Sequence, residues 1–156
     1  MTNKVEKLIY DMSLRIRLYR VSKGQGEGPA GLSERETLLI ELIGLKGSMS
    51  ISELGKLYSR VSPSTISTTI TRLWRDKKLV YKATHPTNQR LTIVSLTDVG
   101  KKVLTQIIAE RSRIYRKVAQ SLGVLSEQNG SFQLFLENGI EFFNQKLGLE
   151  NDHLPS

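Results

Sequence analysis

The stretch from Ser62 to Leu79, SPSTISTTITRLWRDKKL, constrains the fold of this chain more than any other part of its sequence. Its apolar positions follow the i, i+4, i+7 spacing of one helical stripe, with an indole beside them: Ile66, Ile70, Leu73 and Trp74. Ser62 is a favourable N-cap, and Pro63 falls at the first helical position, where its missing N–H leaves no hydrogen bond unmade. The pattern predicts a helix with one face in a hydrophobic core.

The other face of this predicted helix is rich in hydroxyl groups, carried by Ser64, Thr65, Ser67, Thr68, Thr69 and Thr71. Its end is basic, with Arg72, Arg75, Lys77 and Lys78 around a single Asp76. Ser and Thr are weaker helix formers than Glu, Lys or Ala, which a helix in contact with water alone would use. Short hydroxyls backed by cations suit a helix in a DNA groove, where they reach phosphates or base edges. On this stretch alone, a Ser/Thr-rich solvated surface helix is the alternative.

A second, shorter helix is predicted just upstream. Ser50 and Glu53 have the S-x-x-E spacing of a capping box. The apolar side of this helix would carry Ile51, Leu54 and Leu57. A tight turn around Tyr58 to Val61 would join the two helices as a helix-turn-helix, which places the second helix for entry into a DNA groove.

After these helices the sequence changes to short β-like runs. Leu79 to Ala83 and Leu91 to Leu96 are predicted strands, and the polar, turn-rich segment from Thr84 to Arg90 joins them. Two strands around a loop that ends in Arg predict a β-hairpin wing beside the helix-turn-helix.

Most of the remaining chain is predicted to be helical. Residues 3–21 have the rhythm of an amphipathic helix, and a Gly-rich loop from Gly24 to Gly31 follows them. Ser33 and Glu36 form another capping box that opens a helix, and Ser48 to Ile51 is a candidate single strand.

Two further helices are predicted beyond the wing. Thr97 caps a long helix, Gly123 interrupts it, and Ser126 opens a last helix. The last helix carries every phenylalanine of the chain: Phe132, Phe135, Phe142 and Phe143. A small winged core cannot cover so much apolar surface, so residues 3–21 and 97–147 are predicted to be dimerisation helices. The alternative is packing of the first helix on the last within one chain.

The basic charge of the 156-residue chain is concentrated in one region. Its formal net charge is +8, and the segment from Leu54 to Thr97 contains eight basic residues and one acidic residue, a net charge of +7. A localised basic patch indicates a polyanionic partner.

Several classes of function are disfavoured. Cysteine is absent, which excludes thiol catalysis, thiol redox sensing and cysteine-ligated metal sites. The two histidines, His85 and His153, are far apart in sequence, and no Gly-rich motif has the context of a phosphate-binding loop. We therefore expect neither an enzyme nor a metal site. The first 25 residues lack a signal-peptide core and no run of about 18 apolar residues occurs, so a cytoplasmic protein without membrane association is expected.

At the wing and the helix after it, the sequence resembles the MarR family, the multiple-antibiotic-resistance regulators, which are dimeric winged-helix repressors of bacteria and archaea. The family's wing signature is Asp-x-Arg, followed by an apolar strand and Leu-Thr-x-x-Gly. The corresponding residues are Asn88-Gln89-Arg90, then Leu91 to Ser95, and then Leu96-Thr97-Asp98-Val99-Gly100. The chain departs from the family at Asn88, where the family has Asp, and at Lys78, where Gly is usual.

The resemblance implies a mainly α chain with a small β-wing, forming one MarR-like domain over residues 1–156 with a winged helix-turn-helix lobe at residues 33–97. It places Arg90 in the minor groove and the hydroxyls of the Ser62–Leu79 stretch in the major groove of double-stranded DNA. The candidate DNA-contacting residues are Ser62, Ser64, Thr65, Ser67, Thr68, Thr71, Arg72, Arg75, Lys82, Asn88 and Arg90. A homodimer would bind a pseudo-palindromic operator. Family members often release DNA when a small aromatic or phenolic molecule binds between the dimerisation helices and the DNA lobe, so such an effector is expected.

The leading interpretation is thus a sequence-specific DNA-binding transcriptional regulator, a repressor released by a small ligand, with no cofactor. The alternative is an architectural, nucleoid-like winged-helix DNA binder with little sequence specificity, because Ser and Thr contact phosphates as readily as bases. A winged-helix module for protein interaction would leave the basic patch without a role.

Overall fold

The computed structural model describes residues 11–16, 18, 29–57, 61–121 and 130–149. In chain order, the helices and strands of these residues are α1 (Glu34–Lys46), β1 (Ser48–Ser50), α2 (Ile51–Leu57), α3 (Pro63–Arg75), β2 (Val80–Thr84), β3 (Thr92–Leu96), α4 (Asp98–Ser121) and α5 (Gly130–Leu147). A 3-10 turn at Pro29–Gly31 precedes α1. This order confirms the predicted mainly α fold with a small β-wing.

The first predicted helix is described only at residues 11–16 and 18, which are helical. Four other features predicted from the sequence lie wholly or mostly outside the described residues. They are the Gly-rich loop up to residue 28, the turn at residues 58–60, the helix break at Gly123 and the helix start at Ser126.

Side-chain caps fix where the three helices of the lobe begin, as predicted. In α1 the Ser33 N–H donates to Glu36 Oε2 (2.8 Å) while the Glu36 N–H donates to Ser33 Oγ (3.2 Å). Ser50 and Glu53 make the same reciprocal pair at α2, with distances of 2.7 and 3.0 Å. The hydrogen bond from the Ser50 backbone lowers the pKa of Glu53. Ser62 Oγ accepts a backbone N–H from the first turn of α3.

The sheet is antiparallel, with β3 between β1 and β2. Met49 of β1 and Lys82 of β2 both lie opposite Val94, the buried centre of β3. The strands of the wing begin one residue later than predicted, because Leu79 lies in the connection from α3 and Leu91 lies in the loop between the two strands. The single strand predicted near Ser48 is confirmed as β1.

One hydrophobic core joins α1, α2, α3, the sheet and the start of α4. Its fully buried members include Leu32, Leu39, Ile40, Ile43, Leu54, Ile66, Ile70, Leu73 and Val94. Trp74 lies beside the core stripe, as predicted, but it does not belong to the buried face, because the residue is 40% exposed. Successive residues of an α-helix point about 100° apart, so a residue directly after buried Leu73 is turned toward the flank of the helix.

Helix α3 is shorter than the Ser62–Leu79 stretch suggested, since it ends at Arg75. The Asp76 N–H donates to Arg72 O (3.0 Å), and the Leu79 N–H reaches back across the end of the helix to Leu73 O (2.8 Å). Between them Lys78 adopts a left-handed conformation with φ 55°. Glycine adopts this conformation most easily, which gives a physical reason for the Gly that the MarR family usually has there.

The Leu-Thr-x-x-Gly pattern joins the start of α4 to the segment that follows α3. Thr97 Oγ1 accepts the Gly100 N–H (3.0 Å) as the predicted cap and donates to Lys78 O (2.9 Å). The Thr97 N–H also donates to Leu79 O (3.0 Å). A Cβ atom at Gly100 would lie only 2.0 Å from Leu79 O. Glycine is therefore required by the close approach of two backbones.

Helix α4 is held to α1 by charge and by close packing. Arg111 Nη1 donates to both carboxylate oxygens of Glu41, which is 8% exposed, at 2.5 and 2.6 Å. A Cβ at Gly44 would lie 2.3 Å from Leu104 Cδ2, so the two helices approach closely there. Helix α5 differs, because none of its residues is buried. Among the described helices, none combines the length and the apolar composition needed to cross a membrane.

Candidate nucleic-acid interface

The hydroxyls and cations of α3 lie on the face of the helix that points away from the core. The exposed residues of this face are Ser62, Ser64, Ser67, Thr68, Arg72 and Arg75, and the half-buried residues at its edges are Thr65 and Thr71. The prediction that Thr69 belongs to this face is wrong. Its side chain is 7% exposed, and its Oγ1 donates to Thr65 O (2.8 Å) inside the helix.

The hydroxyls at the start of α3 form a connected set. Ser62 Oγ lies 3.0 Å from Ser64 Oγ and 2.7 Å from Thr65 Oγ1, so each pair shares a hydrogen bond. One turn later, Thr68 Oγ1 donates to Ser64 O (2.8 Å). A hydroxyl that donates to its own helix keeps its acceptor lone pairs. Thr68 can therefore accept a hydrogen bond from an amino group of adenine or cytosine in the major groove.

Arg72 leaves α3 toward the start of α1. Its Nη1 lies 3.4 Å from Glu36 Oε1, while its side chain remains 52% exposed. Lys77 approaches the same carboxylate, with its Nζ 4.0 Å from Glu36 Oε2, and donates to Gly31 O at 3.0 Å. The structure therefore attaches Arg72, in the last turn of α3, and Lys77, just after α3, to the first turn of α1, and Lys77 also to the turn that precedes α1.

A polar depression of about 230 Å³ separates α3 from the start of α1. It is lined by Ser33, Arg35, Ser64, Thr65, Thr68, Thr69 and Arg72. Two guanidinium groups among hydroxyls beside a helix N-terminus are suited to a phosphate group. Arg35 was not among the predicted residues, because only the packing of α1 on α3 brings it close to Arg72.

Trp74 brings together two predicted DNA-contacting cations. Lys82 Nζ of β2 lies 5.0 Å from the centroid of the indole, and Arg75 Cζ lies 5.7 Å from it. Both distances allow cation–π attraction, so the ring positions both cations at the junction of α3 and the wing. Because Trp74 itself is exposed, it becomes an additional candidate for contact with DNA.

The wing loop is organised by two side-chain acceptors. His85 Nδ1 accepts the backbone N–H groups of Thr87 and Asn88, each at 3.2 Å. Asn88 Oδ1 accepts the backbone N–H of Arg90 (3.2 Å). The Leu91 N–H donates to Asn88 O (3.0 Å), so Asn88 fixes the backbone of the turn that carries Arg90.

Arg90 also reaches the helix-turn-helix. It borders a depression of about 490 Å³ whose lining includes Lys56, Pro63, Arg90 and Leu91. The wing loop thus lies next to the start of α3, while Lys82 at the base of the wing lies next to its end. The candidate residues of the helix and the wing consequently form one continuous surface. In the described part of the chain, no group of three or more His, Asp or Glu side chains could hold a metal ion.

The chain has a MarR-like winged-helix fold. Three solved structures that it resembles are MarR, the DNA complex of FabT from Streptococcus pneumoniae, and the transcriptional regulator Tm0710 from Thermotoga maritima. MarR shares 19% sequence identity over 95% of this chain and 98% of its own, with a TM-score of 0.69. The fold expected from the wing motif is thereby confirmed.

The other two structures agree along nearly their whole length. FabT shares 17% identity over 93% of this chain and 99% of its own, with a TM-score of 0.63. Tm0710 shares 18% identity over 91% of this chain and 94% of its own, with a TM-score of 0.59. No protein-family model matches the sequence, and no curated protein sequence matches it. At these identities the likeness establishes the fold.

Proposed function

We propose that this protein is a sequence-specific double-stranded DNA-binding regulator of transcription, a repressor whose operator is released when a small molecule binds. The observation that carries this proposal is the outward face of α3. Exposed hydroxyls line that face, and Arg72, Arg75 and the wing residues Lys82 and Arg90 surround it. Such a face can place hydroxyls on base edges while the cations neutralise phosphates.

The proposal includes a homodimer. Helix α5 exposes its apolar side chains, among them Phe135 at 59% and Phe143 at 60%. A contiguous apolar face of this kind supports a subunit interface, and two-fold symmetry would present two α3 helices to a pseudo-palindromic operator. FabT, a protein of the same fold, has been solved in complex with DNA.

Release by a ligand is supported by a cavity of about 570 Å³ between α1, the sheet and α4. Its walls combine apolar side chains, Ile43 and Leu104, with the polar groups of Tyr81 and Lys101. That volume is in the range of small-molecule sites, and the composition suits an aromatic acid or a phenol. An occupant would contact both the wing and α4, so it could alter how the DNA lobe is held on the dimerisation helices.

The test of the proposed function is selection of bound duplexes from a randomised DNA library, followed by footprinting. A regulator is expected to prefer its selected site over a scrambled duplex by about 10³-fold or more. Trp74 is the only tryptophan of the chain, so its fluorescence can report binding directly. Equal affinity for every duplex would favour the architectural DNA binder instead. Absence of measurable binding to any duplex would contradict both.

Release is tested separately, with a panel of phenols and aromatic carboxylic acids added to the complex with the selected duplex. At least one is expected to raise the dissociation constant in the wild type and to lose that effect in Lys101→Ala. An equal rise in the dissociation constant of Lys101→Ala would show that the ligand binds at another site.

A further inference from the structure

Glu36 is a carboxylate buried directly beneath the proposed DNA-binding surface. It is 2% exposed and occupies the first turn of α1. Its Oε2 accepts the Ser33 N–H at 2.8 Å, and its Oε1 lies 3.4 Å from Arg72 Nη1. Lys77 Nζ is 4.0 Å from Oε2. Burial of a carboxylate is unfavourable unless cations and hydrogen bonds compensate for the lost water.

Capping of α1 does not by itself require the charge of Glu36. A capping box functions with Gln as well as with Glu at this position. Glu53 performs the same capping role in α2 with its carboxylate exposed to solvent. What distinguishes Glu36 is its contact with a cation of α3, which lies 36 residues away in sequence.

We propose that Glu36 is a positioning residue that sets the sequence specificity of the DNA-binding surface by orienting Arg72. This inference rests on the proposed function. The Arg72 guanidinium has five N–H donors in a rigid plane, of which Glu36 engages one side while half of the side chain faces solvent. Arg72 also lines the polar depression, together with Arg35 and Ser64, so its remaining donors are available to a group bound there. A phosphate bound there would fix the register in which the hydroxyls of α3 meet the bases.

The same carboxylate has a second, opposite effect on affinity. A negative charge beneath the cations repels every phosphate, whatever the DNA sequence is. Glu36 therefore weakens binding to all duplexes while it improves the choice among them. The two effects separate when a selected duplex and a scrambled duplex are measured side by side.

The experiment compares Glu36→Gln with Glu53→Gln as a matched control. Both substitutions retain a capping side chain and remove one negative charge from the lobe, but only Glu36 contacts Arg72. With Glu36→Gln, binding to the scrambled duplex is expected to tighten about threefold through the added charge, and binding to the selected duplex to weaken about threefold. The specificity ratio, which is the affinity for the selected duplex divided by the affinity for the scrambled duplex, then falls about tenfold. With Glu53→Gln, both affinities are expected to change by the same factor, so the ratio stays within about twofold.

Variants of Arg72 test whether Glu36 acts through it. Arg72→Gln is expected to lower the specificity ratio as much as Glu36→Gln does, and the double variant should fall no further. Arg72→Lys is expected to retain binding to the scrambled duplex and to lose the specificity ratio, because an ammonium lacks the planar fork. If circular dichroism shows that Glu36→Gln does not fold, Glu36→Asp takes its place, because it keeps the charge and shortens the side chain that reaches Arg72; the same fall in the ratio is then expected, and a wild-type ratio would overturn the inference.

Three other results would overturn the inference: equal ratios for Glu36→Gln and Glu53→Gln, additive losses in the double variant, or a wild-type ratio for Arg72→Lys. Each of these leaves the proposed function standing when the wild type itself prefers the selected duplex. A wild type that does not discriminate between the two duplexes would overturn the proposed function as well.

Discussion

The winged lobe and helix α5 use their apolar side chains in opposite ways. In the lobe, Leu39, Ile70 and Val94 are fully buried against one another, whereas Phe135 and Phe143 of α5 are 59% and 60% exposed. The lobe can therefore fold on its own core, but α5 keeps an apolar face that only another surface can cover. Local sequence patterns consequently determine the lobe, whereas the role of α5 in the proposed dimer would depend on a second subunit.

The largest expected effect comes from placing charge on the exposed face of α5. The double variant Phe135→Glu, Phe143→Glu should be a folded monomer, because neither side chain contributes to the lobe core. Its affinity for the selected duplex should fall about 100-fold or more, since two half-sites are no longer bound together.

Sedimentation and gel-shift assays measure the two results. The double variant Ser131→Glu, Asn138→Glu is the control, because it adds the same charge at two exposed polar positions of α5. A monomeric double variant with full DNA affinity would show that α5 has no part in operator binding.

Glycine-to-alanine substitutions should change the free energy of unfolding in opposite directions in the lobe and in α5. Gly100→Ala should destabilise the protein by about 1–3 kcal/mol, because its Cβ would lie 2.0 Å from Leu79 O. Gly139→Ala should stabilise it by about 0.5–1 kcal/mol, because nothing lies within 4 Å of that Cβ and alanine favours the helix. Urea denaturation measures both free energies. Destabilisation by Gly139→Ala would instead indicate that another backbone packs closely against α5 at this position.

The structure also separates what the sequence could predict from what it could not. The caps at Ser33, Ser50, Ser62 and Thr97 were predictable because a cap and the N–H it accepts lie within three residues of each other. The pair of Glu36 with Arg72 was not, since its members meet only when α1 packs on α3. Similarly, the periodicity of α3 could not show that Trp74 is exposed and Thr69 is buried, because both lie on the flanks of the apolar stripe.

Two substitutions in the wing should separate the role of Arg90, a cation proposed to contact DNA, from that of Asn88, which accepts a backbone hydrogen bond within the loop. Arg90→Ala should weaken binding more than tenfold, because it removes a cation proposed to lie in the minor groove. It should also reduce the steepness of the slope of log K against log salt by about one for each wing that contacts DNA. Asn88→Asp should change affinity less than tenfold, because an Asp oxygen can accept the same Arg90 backbone N–H. Gel-shift titrations at one salt concentration compare the two. A larger loss of affinity in Asn88→Asp than in Arg90→Ala would show that the wing does not bind in the minor groove.

The smallest expected effect concerns the end of α3. Lys78→Gly should raise the free energy of unfolding by about 0.5–1 kcal/mol, because glycine adopts the φ of 55° without strain. Lys78→Ala removes the same charge but keeps a Cβ, so it should give no such gain in thermal or urea denaturation. Equal stabilisation by both variants would mean that loss of the charge, and not relief of the backbone, is responsible.

The central claim is that the face formed by α3 and the wing binds duplex DNA. Its most direct test is the dissociation constant for the selected duplex over a range of salt concentrations. If each subunit of the dimer neutralises roughly three to five phosphates, the slope of log K against log salt should lie between about −5 and −9. A slope near −1 would contradict the claim, because a face that releases one counterion cannot be a DNA-binding surface of this size.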